Sequence, residues 1–270
     1  MRGFGPNVTT SRGDSRRARL ALLLGALALA PALAAQTVSP PIAEYQERAR
    51  SSFQLVNGSI FPLSVVLELK GLDVSEQGEV IDGPFDSSRV SVKLSATSFR
   101  IPPRSTYTVF YQATADSTPA WFQIIAALSG ARTDEGLNLR IMLPHVVYLN
   151  QREPLRKDDV RIRQVRLDPG AKKARIELEN AGPRLGRVQE LVLSSPGAEG
   201  RTGGFPLLPR RRRWAEVDWA PAVPPTRLVA RFAKFTLDTA VAVTPPAQQM
   251  ADSARGTDAP PTPAGAAAAR

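Results

Sequence analysis

The chain contains no cysteine and only one histidine among its 270 residues. The absence of cysteine excludes disulfides, a thiol nucleophile, thiolate metal sites and a lipid-modified cysteine. The sequence also lacks a Gly-x-Ser-x-Gly nucleophile elbow, a phosphate-binding loop and any Asp/Glu/His cluster at metal-ligand spacing. We therefore predict a protein that is not an enzyme, has no cofactor or metal, and owes its stability to packing.

Long apolar runs are nearly absent, and the one at Leu20–Ala30 is too short to span a membrane. Arg16, Arg17 and Arg19 precede it, and the small residues of Ala32-Leu33-Ala34 follow it, as a signal peptidase requires. Residues 1–35 are therefore predicted to be a signal peptide that directs export. The segment Ser15–Leu20 loosely resembles a twin-arginine signal, so either export route stays open.

Acidic residues are outnumbered by basic ones, 25 to 35, and the formal net charge is +10. An exported protein with this basic balance is soluble near anionic surfaces and polymers, and the balance does not call for nucleic acid. The run Arg210–Arg213 before Trp214 is interpreted as a solvated turn whose last side chains pack on a sheet. Contact with an anionic partner is the alternative.

Residues 36–150 show β-type runs between turn residues and no sustained helical period, which predicts an all-β domain. The predicted strands are Ile42–Gln46, Ser51–Asn57, Leu63–Leu69, Val90–Leu94, Thr106–Gln112, Trp121–Leu128 and Leu137–Leu149. About seven strands in about 110 residues is typical of an immunoglobulin-like sandwich.

The charged, aperiodic segment 151–159 (QREPLRKDD) predicts a domain boundary at about residue 150. A second β-sandwich domain is predicted over residues 151–243, and a disordered Pro/Ala-rich tail over 244–270. The strands predicted in the second domain are Val160–Leu167, Ala174–Glu179, Arg187–Leu193, Trp214–Trp219 and Leu228–Val243.

One predicted strand, Leu137–Leu149, combines a strict apolar alternation with an internal proline, Pro144. The alternating residues are Leu137, Leu139, Ile141 and Leu143. Proline within a strand indicates an edge position, because its missing N–H then costs no ladder bond. Two interpretations stay open: the apolar row is an inward core face, or it is a site to which another chain adds a strand.

Taken in order, several segments resemble the PapD-like periplasmic chaperones of pilus assembly. They are the predicted signal peptide followed by Val38-Ser39-Pro40, the run Ser52–Asn57 (SFQLVN), Ser98–Pro103 (SFRIPP), Trp121-Phe122, the alternating strand from Leu137, and Arg175–Asn180 (RIELEN). The resemblance covers about residues 37–243 and lies in the order and spacing of these segments.

The resemblance implies two immunoglobulin-like domains with a subunit-binding cleft between them. It also implies that the seventh strand is lent to a pilin that lacks its own last strand, with Leu137, Leu139, Ile141 and Leu143 as the donor row. Pilin-like secreted subunits and an outer-membrane usher are the implied partners, and the free chaperone could cap its donor strand by dimerising. The implied localisation is the periplasm.

The family's cleft holds a basic pair that grips the client's terminal carboxylate. Here those two positions fall near Pro41 or Ile42 and near His145 or Val146, which offer no permanent cation. His145 is the candidate cleft contact, and it could serve only when protonated.

The function predicted from the sequence is that of a periplasmic chaperone that stabilises pilus or fimbrial subunits by donor-strand complementation. The alternative is an exported structural or adhesive protein of the cell envelope, and a more distant one is a hydrolase with an unrecognised carboxylate site. The chaperone hypothesis predicts that Ile141→Asp abolishes client binding and leaves the fold intact.

Overall fold

The fold is described from a computed structural model, over residues 36–132, 138–221 and 223–243. These residues form strands and turns, with a single short 3-10 turn at Lys157–Asp159. No helix in this part of the chain is long and apolar enough to cross a membrane. The predicted signal peptide, the predicted tail and Leu137 lie outside the described residues.

Ten strands make up the N-terminal domain. They are β1 (Thr37–Ser39), β2 (Ile42–Gln46), β3 (Arg48–Asn57), β4 (Leu63–Val74), β5 (Val80–Gly83), β6 (Val90–Leu94), β7 (Ser98–Ile101), β8 (Ser105–Ala115), β9 (Ala120–Arg132) and β10 (Asn138–Asn150). One sheet has the order β1-β3-β8-β6. The other has the order β2-β10-β9-β4-β5, with β7 also paired to β4.

This strand order is that of an immunoglobulin-like sandwich. The four-stranded sheet faces the sheet that is built on the long strands β4, β9 and β10. The first strand is divided between the sheets: β1 pairs with β3, and β2 pairs in parallel with β10. The chain crosses from one sheet to the other at Pro40 and Pro41, where neither residue can donate to a ladder.

The core of this domain lies between the two sheets and is built from alternate residues of each strand. Phe53 and Leu55 on β3 and Val109 and Tyr111 on β8 are buried, as the two-residue period predicts. β9 lies between β10 and β4 in the centre of its sheet. Its residues 122–128 are buried without interruption, which explains the nearly continuous apolar run in the sequence.

Nine strands make up the C-terminal domain. They are β11 (Val160–Asp168), β12 (Lys173–Asn180), β13 (Gly186–Val188), β14 (Glu190–Ser195), β15 (Ala198–Thr202), β16 (Phe205–Leu207), β17 (Arg211–Asp218), β18 (Arg227–Arg231) and β19 (Thr236–Ala240). They form the sheets β11-β12-β17 and β15-β14-β18-β19 and the two-stranded ribbon β13-β16. A second hydrophobic core, including Ile176, Leu193 and Val217, lies between them.

The sequence missed five strands: β1, β5, β7, β15 and β16. All five have three to five residues, too few for a two-residue period to be visible. Two predicted strands are each divided in the structure. Arg187–Leu193 becomes β13 and β14, and Leu228–Val243 becomes β18 and β19 around a turn in which Phe232 stacks on Phe235.

Candidate functional site

The strand β10 is only partly covered at its outer edge. It pairs with β9 from Asn138 to Leu149, but it pairs with β2 only over Val146–Asn150. Within the described part of the chain, residues 138–145 therefore have no strand partner on their outer side. We call this stretch the free edge.

The direction of the backbone groups on the free edge follows from the first bond of the β2 ladder. The N–H of Val146 donates to the carbonyl oxygen of Pro41 at 2.9 Å, so the backbone polar groups of Val146 point outward. Residues two apart in a strand point to the same side, so those of Pro144 and Met142 also point outward. The missing N–H of Pro144 therefore costs β10 no hydrogen bond to β9. This agrees with the prediction that Pro144 lies in an edge strand.

The same geometry explains why the β2 ladder stops where it does. Pro41 has no N–H to donate to the outward carbonyl of Pro144, so the pairing cannot extend toward Met142. The N–H and carbonyl of Met142 and the carbonyl of Pro144 are thus left for an added strand.

The predicted donor row emerges from the core along β10. Leu139, Ile141 and Leu143 share the core-facing side of the strand with the buried Val147 and Leu149. Ile141 and Leu143 are half-buried and pack against the core cluster, whereas 43% of Leu139 is exposed. The row is therefore a core face at one end and a solvent-exposed apolar surface at the other.

A bulge on β9 lies opposite the exposed end of this row. The register shifts between Leu139 and Ile141, and the extra residue belongs to β9. Gly130 there has φ +95°, a left-handed conformation that favours glycine. A Cβ on Gly130 would lie 3.1 Å from the carbonyl oxygen of Pro62. Because β10 itself is not bulged, Leu139 stays on the same face as Ile141.

His145 lies in the core of the N-terminal domain with no exposed surface. Its Nδ1–H donates to the carbonyl oxygen of Pro40 at 2.7 Å, and its Nε2 lies 3.1 Å from the Tyr111 hydroxyl. The ring stacks on Phe53 with 4.6 Å between centroids. The prediction that His145 is a cleft contact is therefore wrong. His145 is a core histidine, and both of its ring nitrogens have hydrogen-bond partners.

The electrostatics of His145 agree with its position. Burial lowers the pKa of the imidazole below its usual value, and the hydrogen bond to Pro40 opposes this shift only in part. Burial also raises the pKa of the neighbouring Tyr111, which is hydrogen-bonded to the Tyr45 hydroxyl at 3.0 Å. Both groups are neutral at physiological pH, so His145 cannot act there as a cation for a client's carboxylate.

A cleft of about 490 Å³ lies between the two domains, and its cations are not those of the family pattern. Arg152, Arg187 and Lys234 line it, all from sequence that follows β10. Arg187 forms an ion pair with Glu44 and lies over the Tyr148 ring at 5.2 Å. Sequence reasoning missed this pair because the two residues are far apart in the chain and no local pattern links them.

The arginine run joins the two domains. The Nη2 of Arg211 donates to Asp73 at 3.1 Å, and the Nη2 of Arg213 donates to the carbonyl oxygen of Gly78 at 3.3 Å. The N–H of Trp214 donates to the carbonyl oxygen of Glu76 at 2.6 Å. The run is thus the start of β17, and the side chains of Arg211 and Arg213 contact this chain's own β4–β5 hairpin.

An apolar cluster adds to this junction. Its buried members are Leu72, Val74, Tyr148, Leu185 and Leu208, with Trp121 and Val146 packed against them. The cluster covers the outer face of the sheet that carries β10, but only toward the C-terminal end of β10. Farther along the same face, Met142 is 42% exposed and Val66 is 50% exposed.

No protein-family model matches the chain, and no curated protein matches its sequence. Similar solved structures include the class 5 fimbriae chaperone CfaA, at 8% identity and a TM-score of 0.46, covering 78% of this chain and 100% of that one. The YadV chaperone is similar at 13% identity and a TM-score of 0.47, covering 76% and 99%. A chain from the complex of the Salmonella enterica SafA pilin with the SafB chaperone is similar at 12% identity and a TM-score of 0.49, covering 77% and 97%. At identities of 8 to 13%, these similarities concern the fold alone.

Proposed function

We propose that this protein is an exported, periplasmic chaperone that binds pilin-like subunits by adding the free edge of β10 to the client's sheet. The observation that carries the proposal is the half-covered β10, whose apolar row leaves the core where β2 stops. An uncovered apolar edge is a template for strand addition, and soluble proteins ordinarily block such edges.

Strand addition divides the recognition between backbone and side chains. The outward groups of Met142 and Pro144 supply backbone hydrogen bonds, and the row of Leu139, Ile141 and Leu143 supplies apolar contacts that select register. A slip of one residue would present Met142 in place of Ile141 and turn the row away from the client. The two prolines end the available edge on one side, which also limits the register.

The later steps of the proposal come from the resemblance to pilus-assembly chaperones. The client is delivered to an outer-membrane usher, and the free energy of completing the client's fold drives release. No nucleotide is consumed in this scheme. His145 has no part in client anchoring, and the cleft residues Arg152 and Lys234 are the cations within reach of a client terminus.

A matched pair of variants tests the proposal. Leu139 and Met142 are exposed to nearly the same extent, 43% and 42%, but lie on opposite faces of β10. Leu139→Asp places a charge in the apolar row that contacts the client, whereas Met142→Asp places a charge on the other face of β10. The measurement is co-purification of secreted β-subunits with the tagged protein from its own cells. We expect at least a tenfold loss for Leu139→Asp and less than a twofold change for Met142→Asp, since burying an unpaired charge costs well over 1.4 kcal/mol.

Ile141→Asp is a less informative variant, because Ile141 packs against the core cluster. A charge there weakens folding and binding together.

Equal losses for Leu139→Asp and Met142→Asp would contradict the proposal. Recovery of no small secreted β-subunit with the wild-type protein would favour the structural or adhesive alternative.

A further inference from the structure

The sheet that does not contain β10 carries positive charge without any negative charge. Its four strands, β1, β3, β6 and β8, include no aspartate or glutamate. Arg48 and Arg50 on β3 and Lys93 on β6 are exposed on its outer face. Among the described residues, no carboxylate lies within ion-pair distance of these three cations. We call this surface the cationic face.

A large aromatic side chain stands in the middle of the cationic face. Phe110 on β8 is 61% exposed, although it lies in a central strand of the sheet. Its backbone is held by Ser95, whose Oγ accepts from the Phe110 N–H at 3.0 Å and whose N–H donates to the Phe110 carbonyl at 2.9 Å. The ring is thus presented to solvent from a fixed backbone.

Strand register places the charges beside this ring. Gln112 pairs with Arg50 on one side and with Lys93 on the other, so the two cations stand two strands apart, at roughly 10 Å. Phe110 is two residues from Gln112, and so lies on the same face. A shallow depression of about 580 Å³ lies here, and its lining includes Arg50, Ser52, Lys93, Ser95, Phe110 and Gln112.

We propose that the cationic face binds an acidic polysaccharide. A sugar ring that carries a carboxylate has an apolar C–H face to cover Phe110, and hydroxyls to bond with Gln112 and the two serines. Its carboxylates match the guanidinium of Arg50 and the ammonium of Lys93. An acidic polysaccharide thus presents an apolar face, hydroxyls and regular negative charge within one 10 Å step.

Two other partners fit less well. A neutral glycan would leave Arg50 and Lys93 without counter-charges. An anionic bilayer accepts cations and an inserted aromatic ring, but it favours a protruding surface over a depression lined by amide and hydroxyl groups.

Acidic residues mark one end of the face. Glu47, Asp86 and Asp116 lie just outside β3, β6 and β8 at the same end of the sheet. Glu47 pairs with Arg152 at 3.3 Å, and Asp86 accepts from the Ser88 hydroxyl at 2.6 Å. The polymer therefore runs from Arg50 and Lys93 toward the opposite end of β8. Since β10 belongs to the other sheet, a bound glycan leaves the free edge open, and this proposal does not depend on the proposed function.

The test is binding of the purified protein to polygalacturonate, measured by calorimetry in low salt and in 0.5 M NaCl, with dextran as the neutral polymer. We expect binding to polygalacturonate that weakens with salt, and none to dextran. Arg50→Ala and Lys93→Ala should each weaken binding about fivefold, and Phe110→Ser about tenfold. Arg161→Ala is the matched control, since it removes the same charge from an exposed residue of the other domain.

Four results would overturn the proposal. They are a loss for Arg161→Ala equal to that for Arg50→Ala, wild-type affinity of Phe110→Ser, equal binding of dextran, and binding of phosphatidylglycerol vesicles but not of polygalacturonate. Each variant changes an exposed side chain, and unchanged thermal unfolding confirms that the fold is retained.

Discussion

The N–H of Val146 donates to the carbonyl oxygen of Pro41 at 2.9 Å, and the ladder between β2 and β10 ends at this pair. Pro41 cannot donate in return, and Pro144, two residues earlier on β10, cannot donate at all. The two prolines thus divide β10 into a covered half and an open half. The open half carries the apolar row that the proposed function uses.

We predict that Pro144→Thr increases self-association. The substitution adds an outward N–H in the open half of β10, which makes the edge a more complete template for another strand. Sedimentation velocity should detect dimers or larger species at concentrations where the wild type is monomeric. Pro154→Thr, in the exposed segment after β10, is the control and should leave the distribution unchanged. A monomeric Pro144→Thr variant would show that the missing N–H does not limit pairing at this edge.

We predict that the stability of the protein falls as the pH decreases from 7 to 5. The pKa of His145 is lowered in the folded state by burial, while the unfolded chain has an ordinary value of about 6.5. Below that value the unfolded state binds the proton more readily. The contribution of neutral His145 is therefore present above about pH 6.5 and is lost as the pH falls toward the folded pKa. The slope is at most about 1.4 kcal/mol per pH unit.

Urea unfolding at pH 5, 6 and 7 measures this slope, and His145→Gln should flatten it. The carboxyl groups of Glu153, Glu216 and Asp238 have pKa values lowered by hydrogen bonds from basic partners. They therefore titrate below this window and do not obscure it. The same slope in the wild type and in His145→Gln would assign the effect to another group.

We predict that Arg213→Ala destabilises the protein by about 1–3 kcal/mol. Arg213 donates to carbonyl oxygens of Pro206 at 3.1 Å and Gly78 at 3.3 Å, and burial lowers the pKa of its guanidinium. Arg212→Ala is the matched control from the same run. Arg212 is 48% exposed and reaches Glu177 and Glu179 only at 3.8 and 3.6 Å, so its loss should cost about 0–1 kcal/mol. Urea unfolding followed by tryptophan fluorescence compares the two, and equal costs would argue against Arg213 as a link between the domains.

Parts of the fold with a local signal could be predicted from the sequence. The runs ending in Asn57 and Asn180 are among the segments on which the resemblance rests, and both asparagines are buried at the end of a strand. The Asn57 amide donates to Phe61 and Pro102 at 2.8 and 2.9 Å, and the Asn180 amide donates to Arg184 at 2.6 Å. The bonds to Phe61 and Arg184 cap loops that follow a strand directly, so this part of the information lies within a few residues, whereas the bond to Pro102 depends on the tertiary structure.

The candidate site could be predicted only in part. The alternation of Leu139, Ile141 and Leu143 and the edge position of Pro144 follow from the two-residue period and from the missing N–H. The partial burial of Ile141 and Leu143 does not, because it depends on how far the opposite sheet extends over β10. The burial of His145 against Phe53 and Tyr111 likewise required the packing of two sheets.

The sequence by itself determined that the chain forms alternating strands, that Pro144 stands at an edge and that no cysteine chemistry is available. These properties depend on the covalent structure of single residues and on the period of a strand, both of which are local. Only the tertiary structure decided which half of β10 is open, which cations line the cleft and which sheet face is free of carboxylates. Each of these depends on residues that are distant in sequence and that strand pairing and domain packing bring together.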